Sequence, residues 1–144
     1  MDEKMKALID GLNEDLANEY SAQIMYTTYA SVVSGLHRQV LKPFFESEVG
    51  DEQGHALYLA GKISTLGGNP TTTPAPVKQL TDVKAMLEEV RRAEKETIDR
   101  YEKRKVQASE LKLTELVVQL EDMIADETRH MEEVDRILRD QLLS

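Results

Sequence analysis

The chain has 144 residues, 27 acidic against 18 basic, for a formal net charge of −9, and it contains no cysteine. The acidity argues against nucleic acid or an anionic membrane as a partner and suits the attraction of cations. Without thiols there are no disulfides, thiolate metal sites or cysteine nucleophiles, so any metal must be held by oxygen and imidazole, a donor set that favours iron or manganese. The length is that of one domain spanning 1–144. No window is apolar enough to span a membrane and nothing follows the opening charges that reads as a leader, so a cytoplasmic protein is expected.

Hydrophobic periodicity predicts an all-α chain of four helices. The first, over 4–33, carries Met5, Leu12, Glu19, Tyr26 and Val33 at steps of seven, and ends at Ser34-Gly35-Leu36. The second, over 38–66, carries Leu41, Phe45, Glu48, Glu52, His55 and Leu59 on one stripe. Pro43 sits awkwardly in it, since a proline past the first turn removes a backbone bond. Gly67-Gly68-Asn69-Pro70 through Pro74-Ala75-Pro76 then breaks any helix and divides the chain into two similar halves. The third helix, over 81–107, reads Val83, Leu87, Val90, Glu94, Thr97 and Tyr101; after a break around Ala108-Ser109-Glu110, the fourth, over 111–142, reads Leu113, Leu116, Leu120, Met123, Glu127, His130, Val134 and Ile137. Short connections make antiparallel hairpins, and the long central crossover lets the second hairpin begin back at the other end of the bundle.

One offset organises the polar residues on these stripes. Glu19, Glu52 and His55 recur 75 positions later as Glu94, Glu127 and His130, and the match extends to Asp51/Asp126 and Tyr26/Tyr101. If each half is a hairpin turning midway between its two glutamates, all four glutamates lie at one depth. A carboxylate facing a bundle core is costly unless paired or bound to a cation. Two divalent ions carry four positive charges, which balance Glu19, Glu52, Glu94 and Glu127, while neutral His55 and His130 complete the shells. Residues three apart on a helix project from one face a turn apart, so a glutamate can bridge the ions and the histidine can cap one.

A single Glu-x-x-His in so acidic a chain is a weak signal; two, inside apolar stripes and related by the offset that also relates the lone glutamates, are a strong one. His37, the third histidine, matches nothing and reads as a solvated loop residue. Asp51 and Asp126 are open to two readings: acceptors for the second ring proton of a liganded histidine, or surface charges. Tyr26 and Tyr101 lie two turns beyond Glu19 and Glu94 on the same faces. Core packing is their commoner role, while beside a redox metal a tyrosine also donates a hydrogen bond or an electron, Tyr26 being the better candidate. Met25, Met86 and Met123 read as packing, and Glu88-Glu89 and Arg91-Arg92 as solvated faces. Ile24, Tyr58, Leu80 and Val117 are apolar residues outside the stripes.

Glu19, Asp51-Glu52-Gln53-Gly54-His55, Glu94 and Asp126-Glu127-Thr128-Arg129-His130 together resemble the di-iron centre of bacterioferritins, within the ferritin-like superfamily. The resemblance covers nearly the whole chain and implies a ferritin-like four-helix bundle. Its implied activity is that of a ferroxidase, an oxidoreductase that oxidises Fe(II) with dioxygen or hydrogen peroxide and serves iron storage or detoxification. Glu19 and His55 would hold one iron, Glu94 and His130 the other, with Glu52 and Glu127 bridging and Tyr26 matching a tyrosine beside the site; manganese or zinc are alternative ions. Gln53 stands where the family has its haem-ligating methionine, so no haem is expected. The chain stops where the family continues into a short fifth helix, which bears on the largest cage. Rubrerythrins resemble it less, having a glutamate where His130 stands, another where Thr97 stands, and a cysteine-bound iron domain. The alternatives are a rubrerythrin-like or manganese-dependent peroxide-removing enzyme, and a non-enzymatic metal-storing or metal-stabilised assembly subunit. Ferritin-like subunits pair through their first two helices, where Ile24 and Tyr58 would lie, so a homo-oligomer is expected, a dimer at minimum and a shell as the larger option.

Overall fold

The structure, a computed structural model, describes residues 2–140. Four helices account for most of them: α1 (Glu3–Val32), α2 (Arg38–Thr65), α3 (Val83–Glu110) and α4 (Thr114–Leu138). Among the described residues no helix is long and apolar enough to cross a membrane.

The ends depart from the periodicity where capping chemistry decides. α3 starts at Val83 rather than 81, because the Asp82 carboxylate accepts a hydrogen bond from the Ala85 amide and caps the helix there. It runs on through Ala108-Ser109-Glu110 and stops only when Lys112 turns left-handed, with φ of 59°. The amides of Leu113 and Lys112 then fold back onto the carbonyls of Ala108 and Ser109, closing the last turn. Lysine takes the place that glycine usually fills, which is why this end was not legible. α4 ends at Leu138 instead of 142, and residues 141–142 lie outside the described ones. Pro43 does sit inside α2, on its exposed side, where the carbonyl it leaves without a partner belongs to exposed Gln39.

The crossover is not slack. Asn13 donates to the Asn69 carbonyl and accepts from the Thr71 amide; the Ala75 amide donates to Ala17, Ser21 to Pro76, and the Tyr29 hydroxyl to Lys78. These bonds climb α1 in order and carry the chain the length of the bundle, so that α3 descends antiparallel to α1. The interior falls into two apolar clusters. One contains Leu8, Leu12, Leu16, Leu59, Ile63 and Leu120; the other contains Tyr29, Phe45, Met86, Leu87, Val90 and Val134. Between them lies a layer of buried carboxylates and imidazoles.

Next to that layer, in the first cluster, sits a buried ion pair. Arg104 on α3 grips Asp15 on α1 with two parallel bonds, Nε to Oδ2 at 2.7 Å and Nη2 to Oδ1 at 3.0 Å. Gly11 makes room for it, since a Cβ there would lie 2.0 Å from Arg104 Nη1. Burial pushes the Asp15 carboxyl up, against the pull of Arg104, so the pair resists being half dismantled. Asp15→Ala should destabilise the metal-free protein by about 3–5 kcal/mol in urea unfolding, whereas Asp15→Leu combined with Arg104→Met should recover most of that loss.

Candidate metal centre

Each helix delivers carboxylate to the same depth. Glu19, Glu52, Glu94 and Glu127 are 1%, 1%, 3% and 1% exposed, and His55 and His130 6% and 9%. Their donor atoms form two overlapping groups, Glu19, Glu52, His55 and Glu127 in one, and Glu48, Glu52, Glu94 and His130 in the other, the atoms of each lying within 4.8 Å of one another. His55 Nδ1 is 3.1 Å from Glu127 and 3.6 Å from Glu19; His130 Nδ1 is 3.7 Å from Glu52, 3.8 Å from Glu94 and 3.9 Å from Glu127. All six residues singled out by the repeat therefore meet.

The surroundings complete the arrangement crosswise. His55 Nε2 faces Asp126 Oδ2 at 3.0 Å, and His130 Nε2 faces Asp51 Oδ2 at 3.0 Å. Each aspartate thus takes the outer ring nitrogen of the histidine in the other half, which leaves both Nδ1 atoms turned inward. Tyr26 donates to Glu94 and Tyr101 to Glu19, again across the halves. Even so, Oε2 of Glu19, Glu48 and Glu94, Oε1 of Glu52 and Glu127, and both inward Nδ1 atoms are buried without a hydrogen-bond partner. Hard oxygen and imidazole donors left unpaired at this spacing fit hard or borderline divalent cations.

A family model described as a ferritin-like domain matches residues 9–142. The chain belongs to that family. A ferritin-like, diiron-carboxylate protein from Bacillus anthracis str. Ames is similar to it at 69% identity and a TM-score of 0.95, over 96% of this chain and 100% of that one. The bacterioferritin of Desulfovibrio desulfuricans superposes with a TM-score of 0.87 at 24% identity, over 94% and 80% of the two chains. A dodecameric thioferritin from Bacteroides fragilis, described as bacterioferritin-related, does so with 0.85 at 25%, over 93% and 85%. No curated protein sequence matches the chain.

In this ferritin-like bundle some positions differ from their sequence reading. Glu48, on the buried stripe of α2 but without a counterpart in the repeat, belongs to the second donor group; its Oε2 lies 2.7 Å from His130 Nδ1. The signal that would have found it was the stripe, one turn before Glu52. Glu89 is not on a solvated face: it is 9% exposed, and Arg92 holds it through two bonds of 2.7 and 2.5 Å, which with neighbouring Lys78 keeps its carboxyl below the usual range despite burial. Tyr58 does not face outward beside Ile24; its hydroxyl reaches Glu115 on α4 at 2.8 Å, and it packs with Val117 on the first core cluster, while Leu80 packs on the second. Ile24 is exposed. His37 stands just before α2 and belongs to neither donor group.

Without cations the layer must carry its own countercharge. Burial opposes a charge on His55, but Glu127 and Glu19 beside it outweigh that and push the ring up to about 11; Glu127 and Glu48 push His130 up to about 10. Burial, then Glu19 and Glu127, raises the Glu52 carboxyl well above the usual range. Burial pulls Glu127 the same way, yet the two imidazoles win and hold it low. A histidine raised in the fold contributes stability that is complete below its ordinary value near 6.5 and is lost as pH rises through its folded value. Ionisation of Glu52 acts in the same direction, and Glu127 stays charged throughout. Thermal melts of chelator-treated protein should therefore show falling stability from about pH 6.5 to about pH 10. A flat or rising profile would contradict this electrostatic account.

Proposed function

We propose that the protein is a ferroxidase which takes two Fe(II) ions per chain, oxidises them with dioxygen or hydrogen peroxide, and serves iron storage or detoxification. The observation that carries this reading is the set of buried, unpaired oxygen and nitrogen donors in two overlapping groups that share Glu52. Glu19 and His55 would hold one ion and Glu94 and His130 the other, with Glu52 and Glu127 placed to be shared between them. As substrate, two Fe(II) would give up one electron each, and with two protons from solvent those two electrons reduce hydrogen peroxide to two waters or dioxygen to hydrogen peroxide. Asp126 and Asp51 fix the histidine tautomers so that Nδ1 presents its lone pair. Tyr26 and Tyr101 orient Glu94 and Glu19 by hydrogen bonding to them. Anionic oxygen ligands favour the ferric product, since hard donors suit the higher charge.

The relative at 69% identity supports the same ligand chemistry, being described as a diiron-carboxylate protein. Titration with Zn(II) or anaerobic Fe(II) should saturate at two ions per chain, and Glu127→Ala should abolish rapid Fe(II) oxidation in a stopped-flow assay while leaving the helical circular dichroism of the metal-free protein intact. Wild-type oxidation rates in that variant, or saturation at one ion, would refute the assignment.

A symmetric dimer built on α2 is the proposed minimum assembly, with dimers closing into a shell. Val40, Ser47, Gly50, Gly54, Leu57 and Gly61 form an exposed, uncharged stripe on that helix, and a Cβ at any of the three glycines would meet nothing within 4 Å. Small residues in such a stripe allow a second helix to approach closely while Val40 and Leu57, 67% and 69% exposed, bury their apolar surface. The dodecameric relative supports closure into a shell. Light scattering at micromolar concentration should give a mass of at least two chains, and Gly54→Glu should lower it; a mass near 16.3 kDa for the wild type would rule the assembly out.

A further inference from the structure

The repeat that relates the two half-sites fails at one buried position. Glu48 stands one turn before Glu52 on α2, and its counterpart one turn before Glu127 on α4 is Met123. Met123 is 4% exposed and packs into the first apolar cluster. Glu48 is 6% exposed, and its Oε2 is buried, 2.7 Å from His130 Nδ1, with no hydrogen-bond partner. It also lines a groove of about 340 Å³ between α2 and α4, together with Phe44, His130, Glu132 and Glu133. Both arginines of that groove are paired with other carboxylates, Arg129 with Asp126 and Arg136 with Glu133, itself a groove residue.

Four carboxylates already balance two divalent ions when both histidines are neutral. The fifth charge therefore sits on one side only, within ligand distance of one cation position and farther from the other. Attraction between unlike charges at this separation, in a poorly hydrated layer, is strong enough to separate the two affinities. We propose that Glu48 is a ligand of the cation on the His130 side, so that the two positions are unequal and fill in order, the His130 side first. This rests on the dinuclear reading above.

The test uses full-length protein stripped by a chelator, crystallised with one equivalent of Zn(II) per chain, and anomalous scattering at the zinc edge. The peak beside His130 and Glu48 should exceed that beside His55 by about threefold, which is what a tenfold difference in affinity gives when two sites share one equivalent, tenfold being the lower end of what changing even an outer partner costs a metal site. In Glu48→Gln the preference should disappear or reverse. Equal peaks in the wild-type protein, a His55 side that fills first, or an unchanged preference in Glu48→Gln would overturn the proposal. Zinc at neither position would instead sink the dinuclear reading itself.

Discussion

Five carboxylates closed off from water at the middle of a helix bundle cannot all stay charged without cations among them. Glu19, Glu48, Glu52, Glu94 and Glu127 are each at most 6% exposed, and the two imidazoles between them are the only protein cations the described layer offers to their inward oxygens. In the metal-free chain that charge is met by proton uptake on His55, His130 and Glu52, at the cost of fixing two histidines in the form that cannot ligate. Bound divalent ions would relieve the same repulsion and release those protons. The fold exists to hold this layer at one depth. The apolar clusters above and below it supply the burial that makes the bundle stable in spite of it.

The repeat holds most closely in the layer of buried carboxylates and imidazoles and loosens away from it. Gly11, Asp15 and Arg104, which lock α1 against α3 on one side, correspond through the same offset to Met86, Val90 and Tyr29 on the other. One flank is thus held by a bidentate ion pair in a glycine notch, and the other by the second apolar cluster, which joins Tyr29 of α1 with Met86 and Val90 of α3 and in which Tyr29 also meets Phe45 of α2 edge-on at 6.1 Å. Both set the register of α1 on α3, and that register decides whether Tyr101 reaches Glu19 and Tyr26 reaches Glu94. A polar lock carries a larger penalty for losing one member, while aromatic packing degrades more gradually as volume is removed.

Much of this was legible in the sequence. Helix number, the crossover and the convergence of six ligand candidates all follow from an apolar stripe interrupted by carboxylates and from one offset. What escaped lies in contacts that neither stripe nor offset encodes. Glu48 stands on the stripe but outside the offset, since Met123 answers it in the other half. The left-handed Lys112 that ends α3 has no glycine to announce it. Tyr58 and Glu89 read as outward-facing by position, but Tyr58 packs half-buried on the first apolar cluster with its hydroxyl on exposed Glu115, and Glu89 is buried under Arg92. The choice between an aspartate that serves a histidine and one that serves only the surface needed the packing of α2 against α4. There each aspartate meets the histidine of the opposite half.

The central claim is that Glu52 and Glu127 place two cations close enough to share a carboxylate. Mössbauer spectroscopy of protein loaded with two equivalents of ⁵⁷Fe(II) and exposed to air tests it most directly, because ferric ions joined by bridging ligands couple magnetically whereas separated ones do not. The account predicts a diamagnetic ground state from a coupled diferric pair bound to the protein in a freshly oxidised sample. Magnetically isolated high-spin ferric ions, with no coupled species at any time after mixing, would contradict it.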